Sequence, residues 1–351
     1  MNTGIHPLAR KNIKQLPPQE LWQRYQAGVT EKINTSLEPS AFASYPAMDK
    51  EKLKIAYADI LLEREGIELA PSYIHFTSGL SEAIDLIVRC FAEPGMDKIT
   101  ITSPTFPLYE RLAGIYSLSV QDTRLTGNYL NIIDIEALKI AQSQITFICN
   151  PSNPLGTTLS WLQVKAVCES VPGIVVVDEA YIEYADDTPS AAILLKSCLN
   201  LIVLRTFSKA WGLAGVRVGA VLAHPSVHET LKQVQCPFSV NSMAQSELKA
   251  RLQDRSYLER SRQATNTEKK KLTEQLKILP VVKKIYPSST NFILAELDSF
   301  SELMVIFKSH QCLVTSVACQ IPKSVRISIG KAEENDFLVS IIKNSFSKNE
   351  N

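Results

Sequence analysis

The sequence predicts an α/β protein with a mostly parallel central sheet in a large domain, followed by a smaller α+β domain. Three observations carry this. Short runs that are β-branched or apolar on both faces recur between helical stretches: Lys98–Thr102, Ile145–Cys149, Ile174–Val177, Leu201–Arg205 and Val216–Leu222. Runs of that length and composition suit parallel strands buried on both sides. Beyond about residue 250 the pattern changes to a long charged helix, Arg251–Leu279, then to strand-like pieces interleaved with helices, which suits a separate α+β unit. The length, 351 residues, gives a prior of about two domains.

In chain order, residues 1–44 lack clear periodicity, carry Pro17, Pro18 and Pro39, and read as an N-terminal arm. Lys50–Glu65 reads as a helix and Tyr73–Thr77 as a short strand. Leu80–Phe91 reads as a helix whose Leu80, Ala83, Ile84, Ile87, Cys90 and Phe91 share one face. The large domain is expected over residues 45–250 and the small domain over 251–351. In the latter, strands are expected at Asn291–Ala295, Cys312–Thr315 and Ser324–Ile329, with helices near 300–310 and 332–346.

Composition narrows the function. Apolar residues make up 45% and charged residues 21%, enough for a core that needs neither disulfide staples nor a structural metal. Lys and Arg number 37 against 36 Asp and Glu, a net charge of +1, so nothing electrostatic favours a nucleic acid or a membrane surface. The seven cysteines, Cys90, Cys149, Cys168, Cys198, Cys236, Cys312 and Cys319, include no Cys-x-x-Cys pair. Free thiols in a reducing compartment are expected, and no metal site. Met1–Lys14 lacks the apolar core of a secretory signal, and no run approaches the roughly 18 apolar residues of a membrane span. A cytoplasmic location is expected.

The unusual polar residues sit at strand ends. Asn150-Pro-Ser-Asn-Pro-Leu-Gly156 directly follows Ile145–Cys149, Asp178-Glu-Ala-Tyr181 follows Ile174–Val177, and Thr206-Phe-Ser-Lys209 follows Leu201–Arg205. Open α/β sheets bind ligands outside the carboxyl ends of their strands. Each cluster alone has a bland reading as a turn, a helix cap or a solvated lysine; three on one edge do not. A fourth segment, Thr77-Ser-Gly-Leu-Ser81, joins a strand to a helix. Gly79 followed by free N–H groups and hydroxyls at a helix N-terminus makes a phosphate site, and Thr206, Ser208 and Arg217 add hydroxyls and a fork of donors.

A lysine, an aspartate and a phosphate cradle on one edge are what pyridoxal phosphate requires, since its aldehyde takes a lysine and its pyridine nitrogen a carboxylate. Opposite charges about 4 Å apart attract by roughly 4 kcal/mol at an effective dielectric near 20. A fraction of that keeps the ring nitrogen protonated, at about 1.4 kcal/mol per pKa unit. Asp178 is the candidate, with Glu179 as a structural acid. No G-x-G-x-x-G follows the early strand, so a dinucleotide site does not fit.

With Asp178-Glu-Ala-Tyr-Ile-Glu183, Arg205-Thr-Phe-Ser-Lys-Ala210 and Leu213-Ala-Gly-Val-Arg-Val-Gly219, these segments resemble the fold type I pyridoxal-phosphate transferases. Within them the chain is most similar to histidinol-phosphate aminotransferases, from Leu8-Ala-Arg-Lys-Asn-Ile13 to Val325-Arg-Ile-Ser-Ile-Gly330. The resemblance implies the following roles. Lys209 would hold the cofactor as a Schiff base and, once freed, move the proton between Cα and C4′. Asp178 would pair with the pyridine nitrogen, while Asn153 and Tyr181 would hydrogen-bond the 3′-oxygen. Phe106 would stack on the ring, and Gly79, Leu80, Ser81, Thr206, Ser208 and Arg217 would hold the phosphate. Tyr57 would reach the phosphate across a homodimer interface, Arg326 would bind the substrate's anionic group, and Asn241 would lie near the cofactor.

The departures bear on substrate. Ser36 and Leu37 stand where relatives carry Asn-Glu, and Thr315 stands where many carry an arginine for the substrate phosphate. Losing such a charged partner removes roughly 1.5–3 kcal/mol; Lys323 is the nearest cation in sequence that could replace it. The resemblance implies a transaminase taking an amino donor and a 2-oxo acid acceptor, histidinol phosphate with 2-oxoglutarate first. The alternatives are an aromatic or other amino-acid aminotransferase and a threonine-phosphate decarboxylase-like lyase. A DNA-binding regulator on the same scaffold would need an N-terminal helix-turn-helix, which residues 1–44 do not show.

Overall fold

Branched apolar runs pair where helices can cover both of their faces. The computed structural model describes residues 4–16, 45–46, 50–312 and 314–347; Pro17, Pro18, Ser36, Leu37 and Pro39 lie outside the described residues. Seven strands form one sheet: β1 (Ile74–Thr77), β2 (Lys98–Ile101), β3 (Ser119–Asp122), β4 (Ile145–Cys149), β5 (Ile174–Asp178), β6 (Leu201–Thr206) and β7 (Gly219–Ala223). Their order is β1-β7-β6-β5-β4-β2-β3. Neighbours from β6 to β3 run parallel, and β7 runs antiparallel to both β6 and β1.

Strands β4 to β7 are buried throughout, and side-chain alternation explains their unbroken hydrophobicity. Ile174 and Val176 join the core layer of the helices Gly79–Phe91, Leu108–Ile115 and Pro225–Val234. Val175 and Val177 join the opposite layer, with Glu51–Glu65, Trp161–Ser170 and Ser242–Gln253.

Two expectations need correction, and one strand, β3, is not among those expected. The run Val216–Leu222 begins pairing only at Gly219, and it does so antiparallel. Residues 207–218 contain just the 3-10 turn Ala214–Val216 and a reversal at Arg217, φ +60°, too little for the crossover that a parallel return needs. Strand β3 is exposed along its whole length; Ser119, Gln121 and Asp122 make it a polar edge without the pattern of a buried strand. The single helix expected over Arg251–Leu279 is two, Ser242–Gln253 and Tyr257–Lys277. Asp254 separates them, its Oδ1 accepting from Tyr257 N at 3.1 Å and Ser256 Oγ at 2.9 Å, as capping carboxylates do. The expected domain junction at 250 and 251 therefore falls inside a helix.

The second sheet is antiparallel, with β8 (Val282–Ile285), β9 (Phe292–Leu297), β10 (Val314–Ser316) and β11 (Ser324–Ser328) in the order β10-β11-β9-β8. Ile293 and Ala295 of β9 pack into a third core, whereas Phe292 and Leu294 face the large sheet's core. One strand thus belongs to both cores. Near the other terminus, Arg10 clasps Glu93 at 3.0 Å and the Arg89 carbonyl at 3.0 Å. This contact covers the helix Gly79–Phe91 from outside, and Leu86 and Val88 are buried there beside the expected face.

Gly173, immediately before β5, marks the tightest approach between strands: a Cβ there would collide with the carbonyl oxygens of Ser143 and Gln144. Both are backbone atoms and cannot swing aside. Gly173→Ala is expected to destabilise the fold by about 1–3 kcal/mol, the usual range for overpacking. The lower urea midpoint should come with an unchanged slope; an unchanged midpoint would contradict it.

Candidate active site

Parallel pairing brings strand ends together, and register decides which residues meet. Cys149 lies opposite Asp178, and Asp178 opposite Leu204, so the three polar clusters emerge side by side. A cavity of about 190 Å³ opens there. It is lined by Leu80, Ser81, Phe106, Asn153, Asp178, Tyr181, Thr206, Ser208, Lys209 and Arg217, all expected, and by Cys149 and Ala180.

At the floor, Asp178 is buried and accepts from Tyr109 Oη at 2.8 Å and Ala180 N at 3.1 Å. Burial pushes its carboxyl up, against the pull of those donors and of Lys209. The Lys209 amine is pushed down, first by burial and then by Arg326, with Asp178 opposing and Arg217 adding. An amine so placed gives up its proton more readily, as a nucleophile or base must. Its Nζ stands 5.4 Å from the centre of the Tyr181 ring.

The far end is a cradle for an anion. Gly79 has φ +78°, and Arg217 Nη2 lies 2.5 Å from where a Cβ would stand. Only glycine leaves that space. Arg217 Nη1 donates to Ala214 O at 3.0 Å and Ser208 Oγ at 3.4 Å. The helix Gly79–Phe91 begins here and directs its first N–H groups outward. His75, just upstream, bonds Gln235 at 2.8 Å and stacks on His228, and burial holds its imidazole well below the usual range. It is a neutral packing group.

The second sheet closes the site. Arg326 of β11 donates from Nη1 to Asn153 Oδ1 at 2.8 Å, and its guanidinium lies 5.1 Å from the Phe292 ring centre. Thr315 pairs opposite Arg326, so it shares that face of the sheet. Lys323 is exposed in the turn before β11, with φ +55°. Gln320 clasps the Phe106 loop, its Oε1 accepting from Thr105 N at 2.8 Å and its Nε2 donating to Thr105 O at 3.1 Å.

Two expected residues are not brought to the cavity. Tyr57 is 1% exposed, its ring 5.1 Å from Phe207 and 6.4 Å from Phe76. A tyrosine that reaches another protomer must stand at the surface, and this one is core. Tyr45 has the required exposure and stacks on Phe238 at 4.5 Å. Asn241 is an exposed cap, accepting from Ala244 N at 2.9 Å at the start of the helix Ser242–Gln253.

Sequence reasoning missed Tyr109, whose only signal is its place three residues after Phe106 in Pro104-Thr-Phe-Pro-Leu-Tyr109. It also missed Arg205, a fully buried arginine beside Glu65, Glu179 and Glu183. An arginine inside an apolar strand, with acids flanking Asp178 and Tyr181, is the signal that could have found it. A larger cavity of about 500 Å³ reaches this cluster, past Glu65, Glu183 and Trp211.

Burial raises Glu183 to about 7 from the usual 4.5, against the pull of Arg205. The folded state then holds a proton that the unfolded chain releases. Its stabilisation is complete below pH 4.5 and is lost as pH rises to about 7, a change of about 3 kcal/mol. Glu183→Gln should remove that portion of the fall in unfolding free energy between pH 5 and pH 8. Equal falls in both proteins would place the ionisation elsewhere.

Residues 9–342 match the model of the aminotransferase class I and II family. The chain is 34% identical over 285 residues to a histidinol-phosphate aminotransferase of Cytophaga hutchinsonii, covering 78% of this chain and 80% of that one. It is 33% identical over 363 residues to histidinol-phosphate aminotransferase 2 of Idiomarina loihiensis, covering 98% and 99%. The crystal structure of the histidinol-phosphate aminotransferase from Clostridium acetobutylicum shares the fold, with TM-score 0.76 and 22% identity over 94% of this chain and 96% of that one. So does the Sinorhizobium meliloti enzyme in complex with pyridoxal-5'-phosphate, with TM-score 0.74 and 22% identity over 94% and 88%. A lysine and a buried aspartate at aligned strand ends, with an anion cradle beyond them, agree with what the family match establishes: the chain belongs to the aminotransferase class I and II family and is an aminotransferase.

Proposed function

We propose that this aminotransferase exchanges the amino group of L-histidinol phosphate with 2-oxoglutarate, using pyridoxal phosphate held in the 190 Å³ cavity. The observation that carries the cofactor is the convergence of Lys209, Asp178 and the Gly79–Arg217 cradle on one edge. The substrate rests on the names of the relatives, 27–34% identical over most of the chain. The cradle suits a phosphate: guanidinium, hydroxyls and free N–H groups meet where a Cβ would not fit.

When bound, pyridoxal phosphate supplies an aldehyde that condenses with amines and a protonated ring that draws electrons from the substrate's Cα. Ser81, Thr206, Ser208, Arg217 and the N–H groups at Gly79 and Leu80 would hold its phosphate, and Phe106 would cover one ring face. Asn153 and Tyr181 would bond the 3′-oxygen. Asp178, oriented by Tyr109, would hold a proton on the ring nitrogen. Lys209 Nζ, eased toward its neutral form, would act as the base that takes a proton from the substrate's Cα. Arg326, whose Nε is buried without a partner, would bind the substrate's anion. The two substrates use this one cavity in turn.

We further propose a homodimer, with Tyr45 in place of the expected Tyr57 as the residue reaching across, a cytoplasmic location, and a small domain that starts at the Asp254 break and not at residue 251. Among the described residues no helix is long and apolar enough to cross a membrane, and no group of side chains could hold a metal ion. A second reading, transamination of a free amino acid, is favoured by Thr315: one guanidinium on that face suits a single carboxylate.

The half-reaction separates the two. L-histidinol phosphate should bleach the visible absorbance of the bound cofactor at least about tenfold faster than L-histidinol, the discrimination expected of a lost charged contact. Faster bleaching by phenylalanine, tyrosine or glutamate would overturn the assignment. Lys209→Ala should lose both the visible band and turnover, and full activity in that variant would refute the role of the lysine.

A further inference from the structure

We propose that Arg205 is a positioning residue for amino-group transfer, fixing the strand end that carries Lys209 against the strand end that carries Asp178. The inference rests on the cofactor reading above. Arg205 is 1% exposed, and its guanidinium is fully committed. Nε donates to Glu179 Oε2 at 2.8 Å, Nη1 to Glu65 Oε1 at 3.0 Å and Nη2 to Glu65 Oε2 at 2.5 Å, with Glu183 Oε1 3.6 Å from Nη1.

Two of the three partners, and Arg205 itself, stand next to the chemistry in sequence. Glu179 follows Asp178, Glu183 lies two residues beyond Tyr181, and Arg205 itself precedes Thr206, Ser208 and Lys209. Glu179 is locked from its far side by Ser190 Oγ at 2.6 Å and Ala191 N at 2.7 Å. Trp211, two residues past Lys209, donates from Nε1 to Glu183 Oε1 at 3.3 Å. The lysine loop is therefore tied to the aspartate loop at both of its ends.

A stability role does not explain this arrangement. Burying an arginine with carboxylates costs about as much desolvation as their attraction returns, and apolar residues would join two strands as well. Apolar packing lacks direction, whereas a planar fork of donors fixes its partners in angle as well as distance. The cluster also sets one guanidinium against three carboxylates. Glu183 is faced by Arg205 from β6, by Glu65 and Tyr57 from the helix Glu51–Glu65, and by Trp211 from the lysine loop. Its Oε2 has no partner, so its proton can come and go without breaking the bond from Trp211.

The test compares holoenzymes of the wild type, Arg205→Lys, Glu183→Gln and Trp211→Phe. Three quantities are read: kcat and KM per bound cofactor, the midpoint of the pH titration of the visible cofactor band, and the thermal midpoint. Arg205→Lys keeps the charge and loses the fork. It should lower kcat at least about tenfold with KM little changed, as a small misplacement of catalytic groups does. It should also move the titration midpoint by about half a unit or more, because Lys209 and Asp178 set it together. Glu183→Gln and Trp211→Phe should move the same midpoint. Variants that lose only thermal stability, with kcat, KM and titration midpoint intact, would overturn the proposal. If Arg205→Lys does not fold, the other two variants decide it by the same readouts. A wild type that takes up no pyridoxal phosphate would overturn the cofactor reading itself, and the inference with it.

Discussion

Parallel pairing from β4 to β6 is the constraint on which the site depends. Parallel strands all end on one edge, about 4.8 Å from their neighbours, so residues following three strands are gathered without any further folding. The register Cys149–Asp178–Leu204 sets how far each cluster projects. A slip of one residue in β5 would turn Asp178 to the other face, exchanging it with Glu179. Glu179 points away from the cavity and is spent on Arg205. The adjacent acids thus divide two tasks by the alternation of a strand, one facing the cavity and one facing the arginine behind it.

Electrostatics follow from that geometry. Lys209 shares its surroundings with Arg326 and Arg217, and Asp178 alone opposes them. Burial and two like charges ease the amine toward neutrality, while burial alone pushes Asp178 up. A cation before Asp178 and an anion beside Arg217 and Arg326 would balance these charges. The proposed cofactor, a protonated pyridine carrying a phosphate, has that charge distribution.

Legibility in the sequence tracked the range of each contact. Lys209, Asp178, Asn153 and Arg217 could be read because each lies within a few residues of a strand end, and strands announce themselves by local composition. The helices from Glu51 and Gly79 likewise began within a residue of expectation. Failures came where a distant partner decides. Tyr57 lies within the helix Glu51–Glu65 and Tyr45 precedes it, and packing against Phe207 or Phe238 separates core from surface. The clasp of Gln320 on Thr105 spans 215 residues, and an isolated glutamine carries no mark of it. Strand β3 is exposed along its whole length and carries one apolar residue, Val120, so it shows no apolar face.

The place of Arg326 brings the second sheet to the edge of the cavity. Asn153 accepts its Nη1 at 2.8 Å, yet its Nε is buried without a partner. On this half-buried arginine a buried N–H left without a partner costs about 1–3 kcal/mol. An incoming anion relieves that cost, so binding is favoured without any new charge being buried unpaired. A two-step transfer has to admit two different anionic molecules in turn. One under-satisfied arginine, carried on a strand whose neighbour β9 packs into both cores, can serve each of them. Thr315, opposite it, leaves room where a second guanidinium would otherwise fix the spacing of a single ligand. Gln320, in the connection between β10 and β11, holds the loop of Phe106, so the same sheet also fixes that wall of the cavity.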